Sequence, residues 1–172
     1  EAFRWTQATG MVGLGDLAGF GFDSCLTATS SDGSVSAGWG SLSSRHAMRW
    51  TQSSGMVILG DLPGGGVDSA AWDISADGNV IVGEAQSTAA GFSRYEAFRW
   101  TQSGGMVGLG DLPGGSFDSR AYAVSADGNA VVGRSNSVSG VEAFLWTSAT
   151  GMIGLGDLPG SSTSSVANAI SG

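Results

Sequence analysis

Fifteen acidic side chains, one cysteine and one histidine are the groups in this 172-residue chain from which reactive chemistry could be built. Cys25 and His46 are each the single example of their type, so one chain can form neither an internal disulfide nor a Cys/His zinc site. A thiol without a fixed His or Lys partner reads as a small buried residue rather than a nucleophile. The acids follow a pattern. Asp16, Asp61, Asp111 and Asp157 each occupy a Gly-Asp-Leu tripeptide, and Asp23, Asp68 and Asp118 come seven residues after the first three. Calcium takes six to eight oxygens, and two carboxylates with loop carbonyls could contribute to such a shell. The plainer reading makes the tripeptide aspartates turn residues that hydrogen-bond nearby backbone, and no metal site is assigned.

Asp32, Asp77 and Asp127 precede glycine between two strand-like runs and read as formers of a two-residue hairpin turn. Glu84, Glu96 and Glu142 show no spacing that specifies a glycosidase pair. Arg4, Arg49 and Arg99 share one repeat position, filled by Leu145 in the fourth copy. Stems lying on aromatic surface explain them more simply than a ring gripping an anion. Without an acid–base or nucleophile constellation, the catalytic set is empty, the ligand-binding residues are unassigned, and the chain is read as not an enzyme. No cofactor is expected, calcium being the one candidate.

The elements that carry these residues announce themselves by repetition. Glu1-Ala2-Phe3-Arg4-Trp5-Thr6-Gln7 returns as His46-Ala47-Met48-Arg49-Trp50-Thr51-Gln52, then unchanged at 96–102, then as Glu142-Ala143-Phe144-Leu145-Trp146-Thr147-Ser148. Trp5, Trp50, Trp100 and Trp146 step by 45, 50 and 46 residues, and the Gly-Asp-Leu aspartates step by the same intervals. Each unit holds four strand-like pieces. In the third, Ser119–Ser125 alternates with Arg120, Tyr122 and Val124 on one face and Ala121 and Ala123 on the other. Asp127-Gly128 turns the chain into Asn129–Arg134; Glu142–Trp146 and Met152–Leu155 follow. No run has a sustained helical period. Four short antiparallel strands every 45 to 50 residues give an all-β, propeller-like tandem repeat of about 3.7 units. The single repeat domain, 1–172, divides near 1–17 (partial), 18–62, 63–112, 113–158 and 159–172 (partial). Phe3, Phe98 and Phe144, with Met48 in the second copy, join the four tryptophans as the expected repeat core. The small Ala71, Ala121 and Ala167 suit an inner strand near a crowded axis.

Composition agrees and excludes some partners. Thirty glycines supply the turn positions, and charged residues make up 13% against a usual share of about 25%. The net charge is −8 and all seven bases are arginine, which disfavours nucleic acid and anionic lipid as partners. No apolar run is long enough to span a membrane. The chain opens inside a repeat and is expected to be a mature form or an excised fragment.

The combined motif [EH]-A-[FM]-[RL]-W-T, then G-M-[VI]-x-L-G-D-L-[PA]-G, then S-x-A-x-x-[IV]-S-A-D-G-N-x-[VI]-V-G, resembles the HAF-type repeat family of bacterial extracellular proteins. The likeness covers essentially the whole chain. It implies secretion or cell-surface display and a propeller-like fold, and carries no catalytic residues with it. The first unit departs most: Ala18 replaces proline, Thr29-Ser30-Ser31-Asp32-Gly33 replaces the usual run, and Trp39 stands in its second strand.

Two functions follow as expectations. One is a secreted binding or scaffold module that presents loops to protein or glycan at a cell surface. The other is a self-assembling structural protein, in which an incomplete blade is completed by another copy as a closed dimer or head-to-tail filament. On either reading a homo-oligomer or a piece of a larger propeller is expected.

Overall fold

The computed structural model describes residues 1–17, 23–41, 43–91, 94–160 and 164–171, so the Ala18 departure lies outside the described residues. Fourteen strands and no helix occur among them. A two-stranded sheet holds β1 (Phe3–Thr6) and β2 (Gly10–Gly13). Three four-stranded antiparallel sheets follow in chain order. The first contains β3 (Ser24–Thr29), β4 (Val35–Ser41), β5 (Arg45–Thr51) and β6 (Gly55–Ile58). The second contains β7 (Ser69–Ile74), β8 (Val80–Gln86), β9 (Tyr95–Thr101) and β10 (Gly105–Gly108). The third contains β11 (Gly114–Val124), β12 (Ala130–Ser137), β13 (Gly140–Thr147) and β14 (Gly151–Gly154).

The expected alternation in the first strand of each unit is interrupted. Ala121 pairs Gly133 and Ala123 pairs Val132, leaving Tyr122 as an extra, bulged residue; Thr27 and Trp72 are skipped in the same way. A one-residue bulge resets the pleat. Ala121 and Val124 therefore share one face and Arg120 and Ala123 the other, which corrects the grouping read from simple alternation. The hairpin after this strand also differs from a two-residue turn. Gly128 N–H donates to the Ser125 carbonyl at 2.9 Å, so Ala126 and Asp127 are the central residues. Gly128 has φ of +74° and among the described residues no non-glycine residue has positive φ, whereas a type I′ Asp-Gly turn needs it at both positions.

Each complete sheet has an aromatic face and an aliphatic face, and the aliphatic face of one lies on the aromatic face of the next. Val35, Ala37 and Ala47 meet Ile74, Ile81, Phe98 and Trp100 in one cluster; Val80, Val82 and Ala97 meet Ala121, Val124, Val131 and Phe144 in the other. Leu59 and Leu62 seal the first interface and Leu109 and Leu112 the second, from the links that leave the outer strands. Each buried aromatic contributes roughly 1.5–3 kcal/mol. Phe98, Phe144, Met48, Trp50 and Trp100 are buried, and Trp146 packs half-buried against the second cluster.

Two expected core residues are not core. Phe3 is 55% exposed and Trp5 63%, because among the described residues no sheet covers the aromatic face of β1–β2. Cys25 is likewise exposed rather than buried: it sits on β3, an edge strand paired only with β4. The described residues of the partial unit 159–172 form no strand. They hang on the third sheet through the Ser165 N–H to Val141 O bond (3.0 Å) and the Ala167 N–H to Gly133 O bond (3.2 Å).

Candidate functional site

The repeated acids and serines form joints between sheets. Ala2, Ala47, Ala97 and Ala143 each donate a backbone N–H to a serine 22 residues on: Ser24, Ser69, Ser119 and Ser165, at 2.8–3.0 Å. Each serine hydroxyl then donates back into the Gly-Asp-Leu turn. Ser24 and Ser69 reach the carboxylates of Asp16 and Asp61; Ser119 and Ser165 reach the carbonyls of Gly110 and Gly156. Asp16 and Asp61 thus bind a side chain of the next sheet's first strand, where a bond to their own local backbone was expected. Asp111 and Asp157 leave that task to the preceding carbonyl. Burial and then the nearby Glu96 push the Asp111 carboxyl above its usual range.

Glu1, Glu96 and Glu142 accept the N–H of Gly15, Gly110 and Gly156 at 2.9–3.1 Å. A Cβ on Gly13, Gly108 or Gly154 would collide with those same carboxylates. The second copy has His46 in place of the glutamate and Ile58 in place of the glycine, so the two positions change together. Asp32, Asp77 and Asp127 hold the hairpins. Each accepts from the serine two residues before it and from the backbone N–H two residues after it. The Ser34 N–H, then the Ser30 hydroxyl, draw the Asp32 carboxyl down to about 2; Asp77 and Asp127 are lowered mainly by Ser75 and Ser125. Arg99 of the shared arginine position donates to the Gly128 carbonyl of the next hairpin, Nη2 at 3.2 Å, which is neither an anion ring nor stem packing alone.

Against this scaffold one charged cluster spans all three four-stranded sheets. Arg45 opens β5, Asp68 precedes β7, Glu84 lies in β8, Tyr95 opens β9, and Asp118 and Arg120 lie in β11. Arg45 Nε donates to Asp68 Oδ1 at 3.0 Å, and its Nη2 to Glu84 Oε1 and Tyr95 Oη, both at 3.1 Å. Tyr95 Oη donates to Asp68 Oδ2 at 2.9 Å. Arg120 Nη1 lies 3.1 Å from Glu84 Oε2, and its Nε stands 3.7 Å from Asp118 Oδ1. The two guanidiniums approach the Tyr95 ring at 5.6 and 4.7 Å from its centre, within cation–π range. Glu84 is 2% exposed while both arginines keep more than a quarter of their surface in solvent. Burial, then the bond to Asp68, raises the Tyr95 phenol; burial pulls Arg45 down, and the carboxylates of Asp68 and Glu84 outweigh it. The cluster is a buried carboxylate under a half-open lid of two cations and an aromatic ring. Its chemistry is ionic pairing and stacking.

Sequence reasoning did not assemble this set, although a signal existed. Arg45, Tyr95 and Val141 are one repeat position; Trp39, Glu84 and Arg134 another; Cys25, Ala70, Arg120 and Val166 a third. The cluster sits where the copies disagree. The Asp23, Asp68 and Asp118 position, considered for calcium, supplies two members, and both face arginines. Among the described residues no group of three or more His, Cys, Asp or Glu converges to hold a metal ion.

A second feature is an open cleft of about 440 Å3 between β1 and the sheet β3–β6, bounded by Phe3–Thr6, Leu26, Thr29, Gly33 and Ser36.

Sheets of four antiparallel strands, stacked face to face in chain order and joined by the same serine clasp, define a β-propeller-like repeat protein. Solved structures agree. TolB from Acinetobacter baumannii superposes with a TM-score of 0.55 at 17% identity, over 86% of this chain and 35% of that one. A putative TolB from Agrobacterium tumefaciens gives 0.58 at 16%, over 86% of this chain and 53% of that one. The chain thus spans between a third and about half of these neighbours, and the likeness is one of fold. No protein-family model and no curated protein matches the sequence. No helix among the described residues is long and apolar enough to cross a membrane.

Proposed function

We propose that this chain is a non-enzymatic binding module of an extracellular HAF-type repeat protein, without a resident cofactor. It engages protein or glycan at a cell surface through the end of the sheets where Arg45, Tyr95 and Arg120 gather. One observation carries the reading: the repeat-constant residues are spent on joints and turns, while the half-exposed cations and tyrosine sit at positions where the copies differ. Binding surfaces on repeat scaffolds are made in this way, by varying side chains on a fixed frame. The test is a screen of labelled chain against surface glycans and surface proteins at low and high salt. Salt-sensitive binding that drops at least about tenfold in Arg120→Gln, with the unfolding midpoint measured alongside, is expected. Equal binding by the variant overturns the assignment. Polysaccharide turnover abolished by replacing a single carboxylate would overturn the non-enzymatic reading.

The uncovered aromatic face of β1–β2 favours a second reading, self-assembly through another copy. Phe3, Trp5 and Met11 present 55%, 63% and 66% of their surfaces there, and the equivalent Phe98 and Trp100 are covered by a neighbouring sheet. Light scattering with a mass that rises with concentration supports it; a fixed monomer mass removes it.

A further inference from the structure

The geometry points to two paired arginines of the third sheet, Arg120 and Arg134, as the receptor for one carboxylate carried on a sugar ring, a uronic acid residue of a glycan. This rests on the binding reading above and deepens it by naming the ligand chemistry. Arg120 of β11 and Arg134 of β12 stand directly opposite each other in the ladder, so both side chains leave the same face. Like charges placed in this way destabilise a sheet. The repeat does not require them. The same two places hold Cys25 and Trp39 in the first four-stranded sheet, and Ala70 and Glu84 in the second.

The carboxylates nearby are committed to one side of the pair. Glu84 and Asp118 approach Arg120, and Glu84 is shared with Arg45. Among the described residues no carboxylate lies within ion-pair distance of Arg134, whose Nε donates instead to Tyr122 Oη at 3.0 Å. The next copy brings no acid to the matching places: Ser164 takes the place of Asp118 and Val166 that of Arg120. Ser164 is tied beside β13 by a parallel bridge to Val141. The net charge of −8 is therefore not spread evenly. Here three arginines, Arg45, Arg120 and Arg134, balance Asp68, Glu84 and Asp118, with the uncompensated cation at Arg134. An anion between Arg120 and Arg134 replaces their repulsion with two charge-assisted hydrogen bonds.

Tyrosine orients both guanidiniums in advance. Arg120 rests on the Tyr95 ring, 4.7 Å from its centre, and Arg134 is held by the Tyr122 hydroxyl. These are the two tyrosines of the chain. Holding Arg134 through Nε leaves both its terminal nitrogens without a partner among the described residues, and Arg120 Nη2 is likewise uncommitted. Such prior ordering lowers the cost of binding. The half-buried Tyr122 ring beside Arg134 offers apolar surface to the C–H face of a sugar. An acidic peptide side chain brings the carboxylate without that face, which selects the uronate.

The probes are D-glucuronate, D-glucose, acetate and N-acetylglutamate amide, each titrated into the whole chain isotope-labelled on arginine, with the Nε–H signals followed by NMR. Glucuronate is expected to move the Arg120 and Arg134 signals saturably, and the other three to bind at least about tenfold more weakly. Arg134→Gln is expected to weaken glucuronate binding at least about tenfold. In the free chain the same variant is expected to keep or raise the urea unfolding midpoint, because a repulsion is removed. No saturable shift with glucuronate, or equal binding by the variant, overturns the proposal. A lowered midpoint also overturns it, by showing that Arg134 serves packing through Tyr122. Equal binding of acetate or N-acetylglutamate amide overturns the sugar as the carrier. A surface partner lost in Arg120→Gln, without any glucuronate binding, leaves the binding reading standing and removes this inference alone.

Discussion

The heptapeptide Glu-Ala-Phe-Arg-Trp-Thr-Gln occurs twice without change, at 1–7 and at 96–102, and its two copies live in opposite environments. Phe98 and Trp100 are 0% and 8% exposed, whereas Phe3 and Trp5 are 55% and 63% exposed. Two polar joints are common to both copies. Glu1 and Glu96 both accept a glycine N–H fourteen residues on, and Ala2 and Ala97 both donate to a serine 22 residues on. Local hydrogen bonding and strand pairing therefore travel with the sequence. Burial of the aromatic face does not: it needs an aliphatic face of another sheet, which β9 has and β1 lacks.

The largest test of this contrast is Phe98→Ala against Phe3→Ala. The first opens a cavity between two sheets and is expected to cost about 3–5 kcal/mol in urea unfolding. The second changes an exposed ring and is expected to stay within about 0.5 kcal/mol. Equal losses would show that β1–β2 is covered in solution. Glu84→Ala comes next. It leaves the Arg45 and Arg120 guanidiniums facing a space without their shared carboxylate, and breaking a buried pair in this way costs about 3–5 kcal/mol at most, less here because both cations reach solvent. A loss no larger than that of an exposed Glu1→Ala would show that the cluster does not tie the sheets.

Ser119→Ala removes a fully buried clasp and should cost about 1–3 kcal/mol, leaving the Ala97 N–H unpaired; the half-covered counterpart Ser165→Ala should cost less. The smallest effect is on acid stability. The folded-state carboxyls of Asp32, Asp77 and Asp127 lie below their ordinary value, so their contribution is complete above about pH 4. It falls away as pH drops toward the value of about 2 held by Asp32. Asp111 works in the reverse sense, its raised carboxyl favouring the folded state less as pH rises through its range. Replacing Asp127 by Asn should flatten the acid limb of a thermal-melt series; an unchanged limb would remove the hairpin carboxylates as its cause.

Much of the architecture was readable from periodic residues, because strand alternation, glycine turns and aromatic spacing are local properties repeated in phase. The bulges at Thr27, Trp72 and Tyr122 were not readable, since three different side chains fill that place and a bulge is set by pairing with the neighbouring strand. The charged cluster was hidden for a related reason. Its members come from three repeat copies, 75 residues apart from Arg45 to Arg120, and no two neighbours in sequence advertise it.

By itself, the sequence determined the four-strand repeat, its spacing and the places where glycine turns the chain. Only the tertiary structure decided which identical Phe and Trp are buried, that Asp16 and Asp61 clasp a neighbouring sheet, and that Glu84 lies beneath two arginines. The physical reason is range. Turn hydrogen bonds and backbone angles are fixed within a few residues, whereas burial, the clasps between sheets and ion pairing depend on which surfaces the folded sheets bring together.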